Sequence, residues 1–165
     1  MKYNQQNVDE IRKFLIEKIS QTGGHIGANL SVVELTISIH NHFNIDNDII
    51  LFDTGHQGYT HKILTNRIKH FDSLNKYLGM SRFLSAKESK YDNIEASHAG
   101  TAISIACGYA KTFNLNNDNK WVLAVVGDGI DDLRSADAVG CSFFPVGEAR
   151  GVCDLEKIYS LFDLQ

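Results

Sequence analysis

Three histidines and one aspartate stand on turns where side chains of these types can do chemistry. Gly23-Gly-His-Ile-Gly-Ala-Asn-Leu30 puts His25 on a glycine-rich turn just before a helix. Asp53-Thr-Gly-His-Gln-Gly-Tyr-Thr-His-Lys62 puts His56 on the turn leaving a strand, the edge at which open α/β sheets bind ligands. Ser97-His-Ala-Gly-Thr101 puts His98 at the start of a small-residue helix, where free backbone N–H groups and the helix dipole favour an anion. Gly127-Asp-Gly129 ends an apolar run and supplies Asp128, a carboxylate suited to Mg²⁺. Imidazoles that donate to phosphate or move protons, an anion-binding helix start and a Mg²⁺ carboxylate together make a diphosphate site. A histidine beside a glycine is more often a structural hydrogen-bonder, so the combination and its order carry the argument. His40 and His42 lie two apart in a helical pattern and face different sides, which makes them poor joint metal ligands. His61 and His70 fall on stretches that read as solvated helix surface.

The elements that must position these groups are legible in outline. Val8, Ile11, Leu15 and Ile19 recur at helical spacing, so an amphipathic helix runs from about Val8 to Gln21 and stops at Gly23-Gly24. Ser31-Val-Val-Glu34 has the pattern of a capping box opening a second helix through Leu35, Ile37 and Ile39. Asn44 to Asp48 is a turn, and Ile49-Ile-Leu-Phe52 a short strand ending at Asp53. Residues 66–93 are polar and mixed, surface helix and loop. Thr101 to Lys111 is a helix whose Ala, Ser and Gly residues permit close packing. Asn114 to Asn119 is a loop, and a buried strand starts at Trp121. A helix (Asp132 to Val139), a strand (Ser142 to Val146) and a closing helix through Leu155, Ile158 and Phe162 follow. Helices alternating with strands predict an α/β fold with a mostly parallel sheet.

Composition sets the outer bounds. A 165-residue chain with 43% apolar and 22% charged residues is a single globular domain, large enough to bury roughly 70% of its unfolded surface. A net charge of −4 leaves no basic footprint for nucleic acid. No apolar run approaches the ~20 residues needed to span a bilayer, and Met1-Lys-Tyr-Asn-Gln-Gln lacks a signal-peptide core. Cys107, Cys141 and Cys153 are odd in number and widely spaced, as expected of reduced thiols in the cytoplasm.

Residues from about 22 to 129 resemble the N-terminal, thiamine-diphosphate-binding region of 1-deoxy-D-xylulose-5-phosphate synthase, within the transketolase-like enzymes. The segments that carry the resemblance are GGHIGANLSVVELT, FDTGHQGYTHKILTNR, KESKYD, SHAGTAISIACGYA and VVGDG, in family order. The resemblance implies a three-layer α/β domain with helices on both faces of the sheet, and thiamine diphosphate and Mg²⁺ as cofactors. By position, His25 would be a catalytic histidine on the substrate side of the thiazolium. His56 would contact the cofactor; Ser97, His98 and Ala99 would line the diphosphate. Asp128 would ligate Mg²⁺, with Gly127, Gly129 and Ile130 beside the cofactor. The substrate would be a phosphorylated sugar or ketoacid-type small molecule.

Several positions depart from the family pattern. Thr60 stands where proline is common, and Ser97 and Ala99 flank His98 where the family has Gly-His-Ser. The hydroxyl missing at Ala99 could remove one hydrogen bond of about 1 kcal/mol. The second Mg²⁺ ligand, an asparagine, is missing from Gly151-Val-Cys-Asp-Leu-Glu-Lys157, where only Asp154 and Glu156 are available. The domain carrying the glutamate that activates the cofactor is absent from the chain. Synthase chemistry would therefore need a homo-oligomer or a partner chain supplying a pyrimidine-binding domain, docked on an apolar patch around His25, Ile26, Leu30 and the Thr101 helix.

Residues from about 121 to 165 carry a second resemblance. Gly127-Asp-Gly-Ile-Asp-Asp-Leu-Arg-Ser-Ala-Asp-Ala-Val-Gly-Cys141 is similar to the fourth motif of haloacid-dehalogenase-type phosphatases, which would make 130–165 an atypical tail on the 1–165 domain. In that alternative Asp128 and Asp132 hold the metal. The required upstream Asp-x-Asp pair is missing, since Asp46-Asn-Asp48 precedes a strand and Asp53-Thr-Gly55 lacks the second aspartate. A non-catalytic paralogue that binds a phosphate ligand or another subunit is the third possibility.

Overall fold

In a computed structural model, residues 3–95, 100–126, 134, 138 and 140 are described. The chain forms α1 (Gln5–Thr22), α2 (Ile26–Leu30), α3 (Val33–His42), β1 (Ile49–Phe52), α4 (Tyr59–Lys62), α5 (Ala102–Asn116) and β2 (Val122–Val125). The strands pair in parallel, Ile49 opposite Val122 through Phe52 opposite Val125. This is the α/β arrangement expected from the alternation of elements. No helix among the described residues is long and apolar enough to cross a membrane.

α1 starts where Asn4 and Asn7 cap each other reciprocally, and it buries Val8, Ile11, Leu15 and Ile19. That stripe packs with Val33 and Ile37 of α3 and with Tyr59, Phe71, Leu74 and Met80 in one core. A second core joins Val32, Ile39, Ile50, Phe52, Leu84 and Val125, so the sheet rests on α3 and on the loop after residue 80. Each fully buried side chain of this size stabilises the fold by about 1.5–3 kcal/mol. The capping box expected at Ser31 does not form. Ser31 ends α2 with its hydroxyl donating to the Ala28 carbonyl, and Val32 precedes α3 with no side-chain cap. Glu34 instead accepts a bidentate pair from Arg12, at 2.6 and 2.7 Å from Nη2, tying α1 to α3.

Two aspartates bracket β1. The Asp48 carboxylate accepts from the Asn44 and Trp121 N–H groups at 2.8 and 3.0 Å, fixing where β2 begins. At the other end Asp53 accepts from Gly100, Thr101 and Ala102 N–H at 2.6, 2.9 and 2.7 Å. The start of α5 is thereby capped from a distant strand end. α5 also runs further than expected, through Asn116, because the chain turns only at Asn117, whose φ is 57°.

Residues 66–93 are not simple surface. Beyond α4 the chain kinks at Asn66 (φ 67°), which brings Arg67 under the loop 81–92. Arg67 donates to both Asp92 oxygens at 2.6 and 2.7 Å. Lys62, fully buried, donates to Glu88 at 2.6 Å and to the Ser81 carbonyl at 2.8 Å. His61, expected on a solvated surface, is buried at 1% exposure. Its Nδ1 lies 3.0 Å from His40 Nε2 and its Nε2 a long 3.5 Å from Asp92. The sequence misplaces it because a charged, polar stretch looks solvated when its partners lie 20–30 residues away.

The cluster makes stability depend on acid. Burial, helped by the neighbouring His61 ring, lowers His40 from 6.5 to about 3. Burial works to raise Asp92, but the nearby His61 imidazole and hydrogen bonds from Arg67 and the Ser85 N–H outweigh it and hold the carboxyl at about 2. Both pKa values are lower in the folded state, so the unfolded chain takes up the proton first and stability falls with pH. The loss due to His40 runs from pH 6.5 down towards about 3, and that due to Asp92 from 3.8 towards about 2. Urea unfolding across this range should show stability falling by up to about 1.4 kcal/mol per pH unit below pH ~6. His40→Gln should flatten the slope between about pH 6 and 4. An unchanged slope would mean that His40 protonates freely in the folded chain.

Candidate functional site

The turn after α1 is built from two glycines with positive φ, Gly23 at 75° and Gly24 at 141°, a region that side chains with a Cβ avoid. A Cβ on Gly24 would also lie 3.4 Å from the Tyr59 hydroxyl oxygen. The turn delivers His25 to the start of α2. His56 arrives from the other direction, in a 3₁₀ turn over Gly55–Gln57 just past the end of β1. The two imidazoles meet with ring centroids 3.7 Å apart and a 37° tilt. Phe83 packs edge-on against His56 at 4.9 Å, leaving His56 at 9% exposure while His25 is exposed.

Asn29 holds this geometry. It is fully buried; its amide nitrogen donates to the His25 carbonyl at 2.9 Å and its oxygen accepts from the Tyr59 N–H at 3.1 Å. One side chain thus ties the backbone of the first histidine segment to the helix that follows the second. Beside the histidines is a cavity of about 320 Å³, lined also by Tyr59 and Arg82, with Thr22–Gly24 and Asn75 along one wall. The Asn75 amide is used on that wall, reaching the Thr22 and Gly23 carbonyls at 3.4 and 3.2 Å. Burial raises the Tyr59 pKa, against the opposing charge of Arg82.

Of the site residues read from the sequence, His25 and His56 come together at the carboxyl end of β1. Ser97, His98, Ala99, Gly127, Asp128, Gly129 and Ile130 lie outside the described residues, as do nearly all of the elements expected after Gly129. One expectation for that region needs correcting. Of the N–H groups at the start of α5, those of Gly100, Thr101 and Ala102 already donate to the Asp53 carboxylate. Asn29, Asp53, Tyr59 and Arg82 were not singled out as site residues. Tyr59 lies in the same motif as His56 and was within reach of the sequence, whereas Arg82 sits in an unpatterned loop that only the fold brings to the cavity. Among the described residues no group of three or more metal-ligating side chains is assembled.

Fold and cavity define an α/β protein in which a histidine-lined cavity lies at the carboxyl edge of a parallel strand pair. A family model described as 1-deoxy-D-xylulose-5-phosphate synthase matches residues 2–132, and the chain belongs to that family as its N-terminal part. The 1-deoxy-D-xylulose-5-phosphate synthase of Clostridium acetobutylicum is 55% identical over 120 residues, 73% of this chain and 19% of that protein. The synthases of Rhodococcus erythropolis and Mycolicibacterium vanbaalenii are 54% and 56% identical over 121 residues, with the same coverage. The chain therefore spans about a fifth of the length of these curated relatives. The similarity takes in Gly127-Asp-Gly129 and stops at residue 132, and these relatives lend no support to the phosphatase resemblance of the tail.

Asn29→Ala should cost about 1–3 kcal/mol, since it leaves the Tyr59 N–H without its buried partner. It should also separate the two imidazoles. Chemical denaturation and the ring-current shifts of the His25 and His56 protons would check both effects. An unperturbed ring pair would show that Asn29 does not position the site.

Proposed function

We propose that the chain is the thiamine-diphosphate-binding portion of a 1-deoxy-D-xylulose-5-phosphate-synthase-type enzyme, with Mg²⁺ as its metal cofactor. The observation that carries this reading is the His25–His56 ring pair at the end of β1, with β2 in parallel register beside it and Gly127-Asp128-Gly129 following β2 in sequence. The substrate class is a phosphorylated sugar or ketoacid-type small molecule. The whole of residues 1–165 is read as one three-layer domain of the transketolase type, with 130–165 an atypical tail, working in the cytoplasm.

The residues present fit such a cofactor. A buried imidazole at a strand end, a second tilted against it, a glycine wall and a buried hydroxyl without a partner among the described residues give both room and donors for a polar heterocycle and its substrate. Bound thiamine diphosphate would supply the acidic carbon that attacks a carbonyl. His56 would face the cofactor, and His25 would hold or pass a proton on the substrate side, a task imidazole suits near neutral pH. Asp128 would ligate Mg²⁺, and Ser97, His98, Ala99, Gly127, Gly129 and Ile130 would line the diphosphate. Asp53 fixes the start of α5, just after the 97–99 segment.

A homo-oligomer or a partner chain bearing a pyrimidine-binding domain would complete the enzyme. The exposure of Ile26, at 39%, beside His25, and of most of α5, where Ala102 is the one buried residue among those described, supports this.

Calorimetry at millimolar Mg²⁺ tests the reading. Thiamine diphosphate should bind more weakly than micromolar, because each lost tenfold is only about 1.4 kcal/mol and a Mg²⁺ ligand is missing from its expected place. Binding should require Mg²⁺ and be abolished by His56→Ala. No binding at millimolar cofactor, or binding indifferent to His56→Ala, would contradict the proposal.

A further inference from the structure

The histidine cavity is also lined by a charge, Arg82, to which the proposed roles assign no partner. It is a permanently charged guanidinium with planar donors suited to carboxylates and phosphates. Arg12 and Arg67 are both paired with carboxylates, yet Arg82 has no ion-pair partner among the described residues. No aspartate or glutamate is among the residues lining the cavity. Tyr59 is the second, independent sign. Its side chain is fully buried, it lines the same cavity, and its hydroxyl has no hydrogen-bond partner among the described residues. Buried donors are nearly always satisfied, so this one calls for an acceptor from outside the protein. Arg82 is close enough for its charge to be felt at the phenol, while burial keeps the hydroxyl protonated as a donor.

We propose that Arg82 and the Tyr59 hydroxyl form an anion subsite that takes the carboxylate or phosphate end of a small substrate, whose reacting carbon then lies against His25 and His56. This rests on the reading of the histidine cavity as the substrate side of the site. The subsite sets specificity. A neutral ketone or aldehyde leaves both the guanidinium and the hydroxyl without a partner, and a site built for a polar group rejects analogues that lack it. The loop 81–92 is locked down by the Lys62–Glu88 and Arg67–Asp92 pairs, so the backbone that carries the exposed Arg82 side chain is fixed at the cavity before the ligand arrives.

The test follows the ring C–H signals of His25 and His56 by NMR, in the full chain, during separate titrations with inorganic phosphate and with acetate. Saturable shifts are expected with at least one anion at millimolar concentration. Arg82→Gln should weaken that binding about tenfold, and Tyr59→Phe several-fold. Tyr59→Phe should leave the melting temperature unchanged or raise it, since the hydroxyl bonds to no group among the described residues. Tighter phosphate binding would mark a phosphoryl end, and equal or tighter acetate binding a carboxylate end; both support the subsite. It is overturned if neither anion moves the histidine signals up to ~50 mM, or if affinity is unchanged in both variants. A Tyr59→Phe protein with a clearly lowered melting temperature would also overturn it, because the hydroxyl would then be held by structural water. Anion binding through Arg82 without thiamine diphosphate binding would sink the cofactor reading and spare the subsite. Cofactor binding with Arg82 irrelevant to anions would do the reverse.

Discussion

The buried charge cluster between α4 and the loop 81–92 is the constraint on which the site depends. Arg67 grips both oxygens of Asp92, and Lys62 grips Glu88, in surroundings where Lys62 and Asp92 are almost wholly removed from water. Such pairs add little net stability over apolar packing, but removing one partner strands the other and costs about 3–5 kcal/mol. What the cluster secures is position. It holds a loop with little regular structure of its own over the sheet edge, seats Phe83 against His56 and brings Arg82 to the cavity.

Around that lock the site is assembled by short polar ties. Asp48 and Asp53 pin β1 to the start of β2 and to the start of α5, and Asn29 joins the His25 turn to α4. Each tie satisfies backbone N–H groups that would otherwise be buried without partners. Each spans about thirty residues or more of sequence, so the histidine pair is a product of tertiary structure rather than of any local motif.

The same distances explain what could be read from the sequence. The period of Val8, Ile11, Leu15 and Ile19 gave α1, and the apolar run Ile49–Phe52 between two aspartates gave β1. Both signals are local. The placing of His25 and His56 on turns beside strand and helix ends foretold that they would converge. Ser31 failed as a cap because Glu34 found a better partner in Arg12 on another helix. His61 and Arg67 looked like solvated surface because Asp92, which pairs with Arg67 and lies near His61, is in a different segment. Three of the N–H groups at the start of α5, those of Gly100, Thr101 and Ala102, are taken by the protein's own Asp53. The motifs HKILTNR and KESKYD, which carried much of the family resemblance, turn out to be the two halves of the buried lock.

The central claim is that the sheet edge bearing His25 and His56 is where Mg²⁺–thiamine diphosphate binds. Replacing Mg²⁺ with paramagnetic Mn²⁺ and recording amide line broadening in the presence of thiamine diphosphate addresses it directly. The account predicts selective broadening at Thr54 to Gln57, Gly100 to Ala102 and Val125 to Val126, with α1 beyond its last turn unaffected. Broadening that is cofactor-independent, or that centres away from the end of β1, would contradict it.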